Sequence, residues 1–171
     1  MERELCGTLS GTEIEALTGN DYLNLLAVSY HEGAHFVAGV LAGESPAELG
    51  LRCEKRDGSL ARIVGHCTMR SGAMTPLIWM SGQAGEELHG FPPQVLGKGS
   101  EKDRARADEL EDGGSETGLR EAKTLLRQHW QAVKWLAIEL QHEHVVSGTR
   151  ATSIVLSALD WDTRHRLQNA A

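Results

Sequence analysis

His31, Glu32 and His35 fall within the stretch SYHEGAHFVAGVL, residues 29–41. On a helix, residues four apart share one face and lie roughly 6 Å apart along the axis. Two imidazoles at that spacing can converge on one metal ion. Glu32 points about 100° away from His31, which makes it a poor ligand beside them. It suits a different task, that of general base toward a water at the metal. With eight His and 17 Glu in 171 residues, this pattern arises by chance only about 0.04 times, so the short motif carries weight. Two unpaired histidines in an apolar run would also each need a partner.

A catalytic zinc needs a third protein ligand and one open position. A glutamate from a second helix, Glu86 or Glu87, is one candidate. Cys6, in ELCGTLS, is another, but it lies only 25 residues ahead of His31. No histidine follows the motif at the spacing that would extend it. Asp103 by itself reads as part of a capping box with Ser100, its carboxylate bonding back to the cap. His66, His89, His142 and His144 read as ordinary polar residues, the last two as surface. Cys53 and Cys67 read as buried thiols in strands, because three cysteines without CxxC spacing make no disulfide framework.

The elements that must carry these residues follow from the pattern. Asn20 or Asp21 can cap a helix running to about Ala42. Its apolar residues, among them Leu25, Phe36, Val37 and Val40, cover a broad face, as in a buried helix. LGLRCEK, a RDGS turn and LARIVGHCTM predict a hairpin or small sheet. Thr75 and Pro76 start a helix, as cap and first residue, that stops at Gly90 before Pro92 and Pro93. A helix is expected from Ser100 to about Glu111, then a loop at EDGGSETG. A single amphipathic helix is expected from Leu119 to about Gln141. A turn at Ser147–Thr149 leads to a last helix of about ten residues. The four tryptophans, Trp79, Trp130, Trp135 and Trp161, read as packing residues.

The chain has the length of one domain and a net charge of −7. That balance disfavours nucleic acid and anionic membrane as partners. No run approaches the roughly 18 apolar residues of a membrane span. The segment MERELCGTLSGTE has no apolar signal core, so a cytoplasmic protein is expected.

Three stretches together resemble the peptidase domain of the FtsH-type AAA+ zinc proteases. HEGAH is similar to that family's HEAGH. MSGQAGEELHG resembles its GGRAAEE helix, and SEKDRARADEL resembles the helix that carries its metal-binding aspartate, which falls on Asp103. AKTLLRQHWQAVKWLAIELQHEHVVSG is similar in pattern to its last long helix and following turn. The resemblance covers roughly residues 21 to 160. It departs from the family at Glu101 and Lys102, where Ser-Asn is usual, and in lacking any GxxxxGK[ST] phosphate loop.

The resemblance implies a mostly α (α+β), zincin-like helical peptidase domain over residues 21–171. A small β-sheet would follow the HExxH helix and a helix bundle would close the chain, with residues 1–20 as an N-terminal extension. It implies zinc on His31, His35 and Asp103, with Glu32 as base. Glu86 would orient a zinc-bound histidine through its second ring nitrogen. The strand around Gly65 and His66 would flank the site and accept an extended polypeptide substrate at its edge. Substrates would be flexible or unfolded chains, or chains delivered by a separate unfoldase; a homo-oligomer is compatible with this reading. The alternative is a non-catalytic, zinc-stabilised interaction or adaptor module.

Overall fold

The computed structural model describes residues 17, 19–56, 59–70, 74–97 and 99–169, together with the strand β1 at Leu5–Cys6. Helix α1 (Asn20–Leu41) is followed by β2 (Pro46–Arg56) and β3 (Ser59–Met69). Then come α2 (Pro76–His89), α3 (Glu101–Leu110), α4 (Gly114–Gln128) and α5 (Trp130–Glu143). The short strand β4 (Val145–Ser147) and helix α6 (Gly148–Asn169) end the chain. The protein is thus mostly helical, with a small antiparallel sheet. Among the described residues no helix is long and apolar enough to cross a membrane.

Strand β2 is the centre of the sheet. β3 pairs along one edge, with Leu51 opposite Gly65 and Gly50 opposite His66. Along the other edge lie β1, with Cys6 opposite Cys53, and β4, with Leu49 opposite Val146. Neither short strand is marked by the sequence pattern, and β1 brings part of the expected N-terminal extension into the sheet. The two central residues of the RDGS turn lie outside the described residues. Side chains alternate between faces along a strand. Leu49, Leu51 and Ile63 are buried, while Arg52 and Thr68 on the opposite face are exposed.

Helix α1 runs through the middle of the molecule, between β3, α2 and α5. Every residue from Ser29 to Gly39 is buried, which explains the broad apolar face. The helix starts at Asn20, behind Gly19 at positive φ (56°), and no side chain caps it. The expected Asn20 or Asp21 cap is therefore absent. Thr75 does cap α2, its hydroxyl accepting from Ile78 N–H at 3.3 Å. Gly90 ends α2 with φ 84°, a geometry that glycine adopts at little cost. An aromatic cluster then ties this end of α2 to α1, with Tyr30 4.3 Å from His89 and 5.6 Å from Trp130 between ring centroids.

The second half departs from the sequence pattern in four places. EDGGSETG is not a loop throughout, since α4 begins at Gly114. A Cβ on Gly114 would lie 2.3 Å from the Ala107 carbonyl oxygen, and one on Gly118 would lie 2.4 Å from that of Pro76. These glycines serve close helix packing, although in sequence they read as turn residues. The expected helix from Leu119 to Gln141 is two helices, broken at His129 (φ −123°, ψ 28°). The break lets α4 lie along α2 and α3 while α5 crosses α1. The last helix has 22 residues instead of about ten. Asp160, Trp161 and residues 163–165 are exposed, and an ion pair four residues apart, Asp160 with Arg164, supports the helix there. Finally, His144 is buried, not on the surface. It closes α5 with φ 59°, and its carbonyl accepts from Leu51 N–H at 2.7 Å. The need to complete the edge of β2 draws it inward, while His142 stays exposed.

Candidate metal centre

His31 and His35 lie one turn apart on buried α1, and their Nε2 atoms are 3.0 Å apart. Asp103, near the start of α3, brings Oδ2 to 3.2 Å from His31 Nε2 and 3.4 Å from His35 Nε2. The outer ring nitrogens are already committed. His31 Nδ1–H donates to Glu86 Oε1 at 2.7 Å, because a carboxylate can only accept. His35 Nδ1–H donates to the Ile78 carbonyl, also at 2.7 Å. With Nδ1 so engaged, each imidazole aims its Nε2 at the same point, to which Asp103 brings its buried Oδ2. Three such atoms so close, shut away from water, require a positive charge between them, supplied by a proton or by a metal ion. The His31, His35 and Asp103 group could hold a metal ion.

Helix α2 frames this point along one stripe. Ile78 holds His35 and Glu86 holds His31, one turn to either side of Gly82. A Cβ on Gly82 would lie 2.4 Å from His31 Nε2 and 2.5 Å from His35 Nε2, so only glycine leaves room for both rings. Gly82→Ala is therefore expected to displace the imidazoles. The overpacking costs about 1–3 kcal/mol, and the better helix propensity of alanine returns only about 1 kcal/mol. Metal affinity by chelator competition is the sharper readout, and an unchanged affinity would contradict this account.

Glu86 does two things at once. Its Oε1 orients His31 while its Oε2 accepts from Gly97 N–H at 2.6 Å. It thereby fixes the loop from α2 to α3, the loop that delivers Asp103. Glu87 faces away, bonded to Gln83 and paired with Lys123 of α4. Both glutamates considered as third ligands are thus occupied elsewhere. Cys6 lies in β1, on the edge of β2 opposite β3.

The chain matches no family model and no curated protein.

Glu32 follows the first ligand and turns toward β3. A Cβ on Gly65 would lie 2.3 Å from Glu32 Cγ and Oε1, so the strand approaches the carboxylate this closely only at a glycine. Burial pushes the Glu32 carboxyl above its usual range, against the pull of the two imidazoles. His66 borders the same cleft. It donates from Nε2 to Glu48 Oε1 at 3.0 Å, and its ring covers Gly50. The cleft, of about 900 Å3, is lined also by Val28, Val64, Met74 and Trp79. Trp79 therefore borders the site in addition to packing. Cys67 borders it too, its thiol pushed up first by burial and then by Glu32.

The charges around the trio give it a pH dependence. Burial opposes a charge on His31, but the adjacent carboxylates of Asp103 and Glu86 outweigh it and raise the imidazole to about 10. Burial likewise opposes ionisation of Asp103, and His31 and His35 hold it well below the usual carboxylate range. A metal entering the site must displace the His31 proton. Affinity should therefore weaken as pH falls, by about tenfold per unit anywhere below about 10. Chelator competition between about pH 6 and 8 checks this, and a flat profile would contradict it.

Proposed function

We propose that the protein is a zinc-dependent endopeptidase with a zincin-like, FtsH-type peptidase domain, acting on flexible or unfolded polypeptides. The observation that carries this reading is the convergence of His31 Nε2, His35 Nε2 and Asp103 Oδ2 beside a buried Glu32. Tetrahedral zinc with ligands at about 2.0–2.1 Å sets ligand–ligand edges at roughly 3.3–3.4 Å. The separations here are 3.0, 3.2 and 3.4 Å. Two imidazoles and one carboxylate also match the donor set of catalytic zinc, which keeps a fourth position open.

His31, His35 and Asp103 would hold the zinc. Bound there, zinc supplies Lewis acidity, polarising a scissile carbonyl and activating water. Glu32 takes the proton of the attacking water and passes it to the leaving amine. Glu86 and the Ile78 carbonyl keep both imidazoles in the tautomer that presents Nε2. Among the described residues, the edge of β3 away from β2 pairs with no strand. It can take an extended peptide by main-chain hydrogen bonds, with Gly65 nearest the base.

The test is cleavage of casein by the purified chain, with zinc measured in parallel. Hydrolysis should be abolished by chelation, restored by zinc, and independent of nucleotide, because the sequence has no phosphate loop. Tightly folded domains should resist. A zinc-loaded chain that cleaves no unfolded substrate would replace this reading with that of an interaction module.

A further inference from the structure

Helix α2 carries a second stripe beside the one that frames the metal centre. Gln83 and Glu87, one position further round, turn toward α3 and α4. Gln83 is buried. Its Oε1 accepts from Arg104 Nε at 2.8 Å, and its Nε2 donates to Glu87 Oε1 at 2.7 Å. The other Glu87 oxygen pairs with Lys123 Nζ. The chain of bonds has one direction only. A guanidinium donates and a carboxylate accepts, so the amide between them has a single orientation.

This relay ends on the residue next to Asp103. Helix α3 is also held at its far end, where Ala107 packs under Gly114 and Asp108 accepts from Ser115 N–H at 2.8 Å. Of its ten residues only Asp103 and Ala107 are buried, and Ser100 caps it with no side-chain hydrogen bond. Those contacts lie toward the C-terminal end of α3, so the turn that carries Asp103 is fixed to α2 through Arg104.

We propose that Gln83 is a positioning residue of the metal centre: backed by Glu87 and Lys123, it holds Arg104 and so sets Asp103 against His31 and His35. The inference rests on the reading of those three residues as metal ligands. It assigns Gln83 a role separate from that of Glu86, which acts on His31 and the preceding loop.

The experiment measures zinc affinity by chelator competition on the full chain, for wild type, Gln83→Met, Arg104→Met and the double variant. Each single variant should bind zinc about 10- to 100-fold more weakly, the usual effect of losing an outer partner. The double variant should be no weaker than the worse single, because both break the same relay. Arg104→Lys, which can still donate to Gln83, should recover most of the affinity. A merely structural role would lower stability equally with and without zinc and leave affinity unchanged.

Arg104 is exposed, so its variants fold even if Gln83→Met does not, and the Met and Lys pair then decides alone. Wild-type affinity in Arg104→Met, or additive losses in the double variant, overturns the proposal. A wild type that binds no zinc overturns the ligand reading, and this inference with it; normal wild-type binding with unaffected variants removes only the inference.

Discussion

Glu32→Gln is expected to lower kcat/KM for a fluorogenic peptide by about 100- to 10,000-fold, the usual worth of a positioned general base. The substitution keeps the size of the side chain and removes its basicity. Glu32 points away from the paired imidazoles and packs against β3 at Gly65, so zinc content and fold should hardly change. Substrate binding should persist, and the variant should trap unfolded chains without cutting them. The measurement pairs the rate with zinc per chain in both proteins. Retention of wild-type hydrolysis would dismiss Glu32 as base, and loss of zinc would recast it as a ligand.

The second large effect is expected at Asp103. Asp103→Ala should reduce zinc from about one ion per chain to near none, since two imidazoles alone do not complete a tight site. His35→Ala should do the same. Neither glutamate of α2 stands ready to substitute. Glu86 is engaged with His31 and Gly97, and Glu87 with Gln83 and Lys123. Full zinc occupancy in Asp103→Ala, by metal analysis after gel filtration, would return Asp103 to a purely helical role.

The sequence reading of Asp103 shows where local patterns fall short. Ser100 and Asp103 have the spacing of a capping box, yet Ser100 makes no side-chain cap bond, and its hydroxyl is buried without a partner. The carboxylate is drawn instead to imidazoles on a distant helix. Only the resemblance of three separated stretches pointed there, because spacing within one helix cannot register a neighbour 68 positions away in the chain. The α1 helix, the hairpin and the limits of α2 were legible because each depends on nearby residues. The break at His129, the strands β1 and β4 and the burial of His144 were not, because each answers to what packs across the fold. Two parts of the site leave no mark on side-chain patterns at all. The Ile78 carbonyl and the Gly97 N–H are backbone groups, available in any sequence.

The separation of the ligands also orders events during synthesis. His31 and His35 leave the ribosome together, but Asp103 follows 68 residues later. At about 5–20 residues per second that interval is roughly 3–14 s. Until it has passed, the nascent chain has only two of the three groups that could hold a metal ion. On the proposed reading, hydrolytic competence would arrive late, with long-range folding, and a truncated or stalled chain would remain inert.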